Sequence, residues 1–326
     1  MPYILPITSS EIEDEISGLK SGKTAGPSSI HTEILKLLKL VISKPLEIIF
    51  NTSFSTGTVP SNFRLANVVP VFKKGSQTCL TNYRPISLLS IFNKLIEKLM
   101  YKRLIRVLEK NNILFHKQFG FRSGYSTDHA IICITDKIQR AIENRNYSCG
   151  IFLDFSKAFD TVNYDILLMK LANYGIRGIA NEWFKSYLSD RRQTVSVNSA
   201  KSVQCNVTCG GSVLGPLLFL ICINDSDLFD FHLFADDSNL LCEHKNILNL
   251  EKTINNELCK VHALLCANRL SLNIDKSNFV IFHPPQKNVQ GLKLNLKIND
   301  QQLNRKFFIK YLGIMIDSNL NWKKTC

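Results

Sequence analysis

The stretch Phe231-His232-Leu233-Phe234-Ala235-Asp236-Asp237-Ser238-Asn239-Leu240-Leu241 decides how this 326-residue chain is read. Two short apolar runs flank a pair of adjacent acids, the pattern of a β-hairpin with carboxylates at its tip. Two neighbouring negative charges repel unless a cation holds them. The same residue type also favours turns, because its side chain bonds the local backbone. A third acid in a suitable setting separates these two readings, and Asp154 supplies one. It stands near the end of the apolar run Gly150-Ile151-Phe152-Leu153-Asp154-Phe155, where a carboxylate without a partner is costly. Neighbouring antiparallel strands would bring Asp154 to the doublet. Converging carboxylates suit Mg²⁺, and a pair of such ions clamps the attacking and leaving oxygens of a phosphoryl transfer.

Charge points the same way. Lysine and arginine number 40 against 27 acids, a net charge of +13. The basic residues are spread along the chain rather than gathered in a tail, which favours a long groove for a polyanion. The chain is 45% hydrophobic and can build a sizeable core. Its ten cysteines do not repeat at metal-ligand spacing. Cys133, Cys222, Cys242 and Cys266 lie in apolar runs and read as small core residues. The start, Met1-Pro2-Tyr3-Ile4-Leu5-Pro6, is not a secretory signal, and the apolar run 213–223 is too short to span a bilayer. The expectation is a protein of a reducing, intracellular setting with free thiols, not secreted and with no membrane partner.

Local patterns give a mixed order of elements. A helix is expected over 10–20, capped by Ser10 with Glu13, and a largely buried one over 32–50. Residues 66–72 read as a strand that Pro70 confines to an edge. Helices are expected over 93–111, 128–144, 165–173, 178–188, 216–224 and 247–268. Strands are expected over 148–155, near 278–283, 292–298 and 307–312, with hairpins over 193–207 and 231–243.

A series of segments then carries a family resemblance. In order they are Ser21-Gly22-Lys23 through Ile34-Leu35-Lys36, Val69-Pro70-Val71-Phe72-Lys73-Lys74-Gly75, Asn82-Tyr83-Arg84-Pro85-Ile86-Ser87-Leu88 and Gln118-Phe119-Gly120-Phe121-Arg122. Leu153-Asp154-Phe155-Ser156-Lys157-Ala158-Phe159-Asp160 and Gly211-Ser212-Val213-Leu214-Gly215-Pro216 follow. Phe234-Ala235-Asp236-Asp237, Asn268-Arg269-Leu270-Ser271-Leu272-Asn273 with Lys276, and Tyr311-Leu312-Gly313 complete it. Together they resemble the reverse transcriptase domain of LINE-type (non-LTR) retrotransposons, over residues 10–322.

The resemblance implies an α+β fold, a right-hand polymerase with fingers and palm, its antiparallel palm sheet packed on helices. It divides the chain into a helical extension (1–60), the polymerase domain (61–318) and the start of a truncated thumb (319–326). It implies an RNA-directed DNA polymerase that extends a DNA primer on an RNA template with dNTPs and Mg²⁺, or Mn²⁺. It leaves the compartment nuclear or cytoplasmic, nuclear residence following only from the life cycle of such elements. Asp154 and Asp236 would hold the metals, with Asp237 in support because alternate strand side chains point to opposite faces. Lys276 would protonate pyrophosphate. Lys73 and Arg84 would hold the triphosphate, and Phe159 would exclude a ribose 2′-hydroxyl. Gly211 and Ser212 would lie under the nascent base pair, and Gln118 and Arg122 along the template.

The chain also departs from the family. Where Gly-Val-Pro-Gln-Gly-Ser is usual, it has Val207-Thr208-Cys209-Gly210-Gly211-Ser212, without the amide that positions template or nucleotide. Gly-Pro-Asp-Gly-Ile is replaced by Gly26-Pro27-Ser28-Ser29-Ile30. The stop at Cys326, after Trp322-Lys323-Lys324, and the short stretch before residue 10 suggest a chain without thumb or endonuclease. An alternative reading is therefore a truncated, weak or inactive remnant that at most binds RNA. A group II intron maturase or an RNA-dependent RNA polymerase fits less well, the latter because Phe159 is bulky.

Overall fold

The computed structural model describes residues 5–22, 26–27, 30–155, 161–198, 200–207, 212–225, 230–283 and 291–320. Its helices are α1 (Ser9–Ser17), α2 (Thr32–Leu37), α3 (Lys39–Thr56), α4 (Ile91–Lys110), α5 (Thr127–Glu143), α6 (Tyr164–Asn173), α7 (Ile179–Leu188), α8 (Gly215–Cys222) and α9 (Ile247–Ala267). Its strands are β1 (Leu65–Phe72), β2 (Tyr83–Leu89), β3 (Tyr147–Asp154), β4 (Arg192–Val197), β5 (Ala200–Lys201), β6 (Cys205–Asn206), β7 (Phe231–Phe234), β8 (Asp237–His244), β9 (Asn278–Phe282), β10 (Lys297–Ile298), β11 (Gln301–Gln302), β12 (Asn304–Lys306), β13 (Phe308–Tyr311) and β14 (Ile314–Asp317).

The chain forms two compact units, and each takes residues from separate stretches. One comprises Met1–Ile113 with Val162–Ile221, the other Leu114–Thr161 with Cys222–Cys326. The linear division at 60 and 318 cuts the chain differently. The N-terminal helices share a unit with α4, whose Arg103 donates to Glu11 at 2.9 Å and to the Leu5 and Pro6 carbonyls. Most of 319–326 lies outside the described residues.

In the first unit the sheet runs β2-β1-β4-β5, with β6 also on β4. β1 is antiparallel to β2 and parallel to β4, and the β4 pairing covers only Leu65 to Val68. Pro70 lies beyond it, where β1 has a neighbour on one side only, so a residue lacking an N–H is tolerated. α4 starts at Ser90, whose hydroxyl accepts the Asn93 N–H, and buries Leu95, Leu99 and Leu108. Two expectations change here. The cap of α1 is Thr8, which accepts the Glu11 N–H, not Ser10. The helix expected over 32–50 breaks at Leu38, and much of it is exposed. α3 buries Leu46, Phe50 and Phe54, four residues apart on one stripe, while Leu37 (85% exposed), Leu40 and Val41 face outward. Apolar content alone did not say which stripe finds a neighbour.

In the second unit the sheet order is β12-β9-β3-β8-β7, antiparallel except for the β12–β9 pair. β3 sits at its centre with both faces covered. On one face Phe152, Leu241, Val280 and Phe282 join Ile131, Ile134 and Ile138 of α5, with Tyr311 and Ile316. Leu153, Leu233 and Ser238 line a small gap against Val261 and Leu265 of α9. This two-sided burial explains why β3 reads as a continuous apolar run rather than an alternating one. Of the cysteines assigned to the core, Cys222 is buried, Cys133 and Cys242 are half-buried, and Cys266 is exposed on α9.

Candidate active site

β7 and β8 are joined by the two-residue turn Ala235-Asp236, with Phe234 paired to Asp237. Ala235 has φ +59, the left-handed conformation that tight hairpin turns demand at their first central residue. Asp236 occupies the turn itself. Asp237 opens β8 and stands opposite Asp154, the last residue of β3. Cross-strand partners share a face of the sheet. The alternation that was expected to weaken the part of Asp237 therefore places it beside Asp154.

Burial, and then the Asp154 charge, raises the Asp236 carboxyl above its ordinary range. Burial, then Asp236, then Asp154 push Asp237 up to about 6. Desolvated carboxylates that repel one another are relieved by a hard divalent cation, so the donor chemistry fits Mg²⁺. Among the described residues, no three His, Cys, Asp or Glu side chains stand close enough to form a ready-made metal cage.

The segment after α9 holds Asp154 from the other side. Phe155 bridges Leu272. The Asn273 N–H donates to the Asp154 carbonyl at 2.8 Å, and the Ser277 hydroxyl accepts the Asp154 N–H at 3.1 Å. Ser277 also donates to the Asn273 carbonyl. This turn carries Lys276, whose Nζ is 3.7 Å from Asp154 Oδ2. Sequence reasoning named Lys276 but not Asn273 or Ser277 as its supports; a polar turn straight after a helix was the available signal.

Gln118 and Arg122 belong to the same unit as the hairpin. Gln118 is 2% exposed, and its Oε1 accepts the N–H groups of Gly120 and Ala235 at 2.9 and 3.1 Å. Arg122 is half-buried. It donates to the Phe115 carbonyl at 3.0 Å, and its guanidinium lies 4.7 Å from the Tyr125 ring centre.

Lys73, Arg84 and Ser212 lie in the other unit. Arg84 sits on strand β2 opposite Val71, not in a loop, and is exposed. Lys73, also exposed, continues the hairpin through a bond from its N–H to the Asn82 carbonyl. Ser212 accepts the Gly215 N–H at 2.8 Å and so starts α8. Phe159 and Gly211, with Gly210, lie outside the described residues.

One residue that sequence reasoning passed over stands out in that unit. Glu97 of α4 is fully buried. Its Oε2 accepts the Val213 N–H at 2.6 Å and the Leu214 N–H at 3.4 Å. Burial pushes its carboxyl up, against the pull of Arg191. Its signal was an acid on the apolar side of α4, four residues after the equally buried Asn93.

Among the described residues no helix is long and apolar enough to cross a membrane. The family model for reverse transcriptase (RNA-dependent DNA polymerase) matches residues 71–316. The chain is 29% identical to a probable RNA-directed DNA polymerase from transposon BS of Drosophila melanogaster, over 98% of its own length. It is 28% identical to the RNA-directed DNA polymerase from mobile element jockey of the same organism, again over 98%. A probable RNA-directed DNA polymerase from transposon X-element is also 28% identical. The chain spans 36% of the length of each of these relatives. A match running from β1 to β14 and taking in the acid pair places this chain in the reverse transcriptase (RNA-dependent DNA polymerase) family.

Proposed function

We propose that this chain is the polymerising part of an RNA-directed DNA polymerase, with the second unit as palm and the first as fingers. The observation that carries the reading is the register of β3 and β8, which sets Asp237 across from Asp154 with Asp236 in the adjoining turn. Asp154 and Asp236 would hold the metals, and Asp237 would complete the donor set. Divalent ions bound there supply charge stabilisation for the primer 3′-oxygen and the departing pyrophosphate.

The chain's own residues bind and orient. The exposed cations Lys73 and Arg84 sit at the turn end of the β1–β2 hairpin and take the triphosphate of the incoming nucleotide. Lys276, on the turn beside Asp154, gives its Nζ proton to the leaving pyrophosphate oxygen. Phe159 selects deoxyribose. Gly211 and Ser212 lie under the forming base pair, Ser212 at the start of α8. Template RNA passes the loop bearing Gln118 and Arg122, where the exposed rings of Phe121 and Tyr125 offer stacking surface. RNA template, DNA primer and dNTP are thus the partners, within a cell.

Primer extension on poly(rA)/oligo(dT) with Mg²⁺ and dTTP tests the reading. Extension that Asp236→Ala abolishes supports it. Folded protein that extends no primer, even as Gly210→Gln, sinks it in favour of a remnant that only binds RNA.

A further inference from the structure

The segment 117–120 is built against the hairpin that carries the acid pair. The Leu233 N–H donates to the Lys117 carbonyl at 2.9 Å, and the Phe119 N–H to the Leu233 carbonyl at 2.8 Å. Gln118 thereby forms a parallel bridge with Leu233 at the outer edge of β7. From that position its side-chain oxygen reaches across the end of the strand. It accepts one N–H from Gly120 in its own segment and one from Ala235 in the turn.

The turn needs such a hold. Ala235 is 5% exposed and keeps φ +59 without being glycine, a conformation costing roughly 1 kcal/mol. Gly120 presses on it directly. A Cβ at position 120 would lie 2.3 Å from the Ala235 nitrogen and 2.9 Å from the Phe234 carbonyl carbon. Both atoms are backbone and cannot swing aside. One side-chain oxygen and one missing Cβ thus fix the Phe234–Ala235 peptide, one residue ahead of Asp236.

We infer that Gln118 and Gly120 are positioning residues for the metal-binding turn, acting on Asp236 through the backbone of Ala235 rather than by reading the template. The inference rests on the proposed polymerase site, but the shape of the turn can be measured without activity. With its oxygen already accepting two backbone N–H groups in a buried site, Gln118 has no acceptor to offer a base. Its Nε2 is buried with no hydrogen-bond partner.

The experiment compares wild type with Gln118→Met, Gln118→Glu and Gly120→Ala. Methionine fills the volume and offers only a weakly accepting sulfur in place of the amide oxygen; glutamate keeps an acceptor oxygen. Amide exchange over 233–238 of the metal-free protein is read beside exchange in α9, and Mn²⁺ binding is titrated by electron paramagnetic resonance. The expected result is exchange about tenfold faster at the turn in Gln118→Met and Gly120→Ala, the order set by losing one buried hydrogen bond, with α9 unchanged. Mn²⁺ half-saturation rises in the same two variants, and Gln118→Glu restores turn protection. Wild-type exchange and Mn²⁺ binding in both Gln118→Met and Gly120→Ala overturn the inference. So does a Gln118→Met protein whose only defect is weaker template affinity. If Gln118→Met does not fold, Gly120→Ala decides by the same readings. If wild type extends no primer, the polymerase reading fails alone and the exchange arm still decides this one.

Discussion

Asp154 and Asp237 are directly paired across antiparallel strands, so the end of β3 and the beginning of β8 bring two carboxylates to one face of the sheet. In the metal-free protein this pairing is unfavourable once both are charged. The Asp237 carboxyl, ordinarily at 3.8, is held up at about 6. A raised acid binds its proton more tightly in the folded state. Its contribution to stability is full below the unfolded value near 4 and is lost as pH climbs through 6. Asp237→Asn should therefore gain on wild type in urea midpoint between pH 4 and 7, and Mg²⁺ should close the gap. Asp237 is exposed at the head of β8, which reduces the size of the effect. The difference between the two proteins is the quantity to read, because His232 runs the other way. Its burial, with Lys137 and Lys117 nearby, lowers it to about 3, so its contribution grows as pH rises.

Lys276 separates chemistry from stability. Its ion pair with Asp154 is 68% exposed on the lysine side, so Lys276→Ala should change stability by less than about 1 kcal/mol. If its ammonium protonates pyrophosphate, single-turnover incorporation should fall by about 10²- to 10⁴-fold. Loss of rate with unchanged unfolding is the expected signature; equal rates would remove Lys276 from the mechanism.

Arg84 on the exposed hairpin provides a binding test. A guanidinium can bond two phosphate oxygens where an ammonium acts as a point charge. Arg84→Lys should raise KM for dTTP about tenfold in steady-state extension, with a smaller change in kcat. A pure kcat effect would place Arg84 elsewhere than on the triphosphate.

Glu97 predicts a large structural effect. Removing the carboxylate strands the Val213 and Leu214 N–H groups and leaves Arg191 without its buried counter-charge. Glu97→Leu should cost about 3–5 kcal/mol, read as the first transition in urea unfolding. Glu97→Gln keeps an acceptor and should cost clearly less.

The meeting of the acids was legible because it combines two local signals, an apolar run closing on Asp154 and a hairpin tip carrying Asp236 and Asp237. Their meeting needed only adjacent antiparallel strands. The long helices α4, α5 and α9 were legible for the same reason, since their apolar period is written locally. What stayed hidden depends on contacts between distant residues. Nothing around Gln118 says that its amide oxygen ends on Ala235, and nothing around Glu97 says that it meets Val213. The alternation of Leu292, Leu294, Leu296 and Ile298 announced a strand over 292–298, of which only Lys297–Ile298 pairs as β10, while β11 and β12 carry little apolar patterning because their partners, not their composition, define them. The exposed stripe of α3 shows the converse: an apolar helix declares its content but not which side is covered.

The interleaving of the two units bears on how the protein is made. Strand β1 is synthesised long before its parallel partner β4, and β3, the centre of the other sheet, long before β8 and β9. Neither sheet can close while the chain is half-built, so folding outward from the N-terminus as synthesis proceeds is not open to this molecule. A ribosome that stalls between residues 114 and 191 releases a chain with an unpaired β1 edge and no completed unit, the kind of species most prone to aggregate.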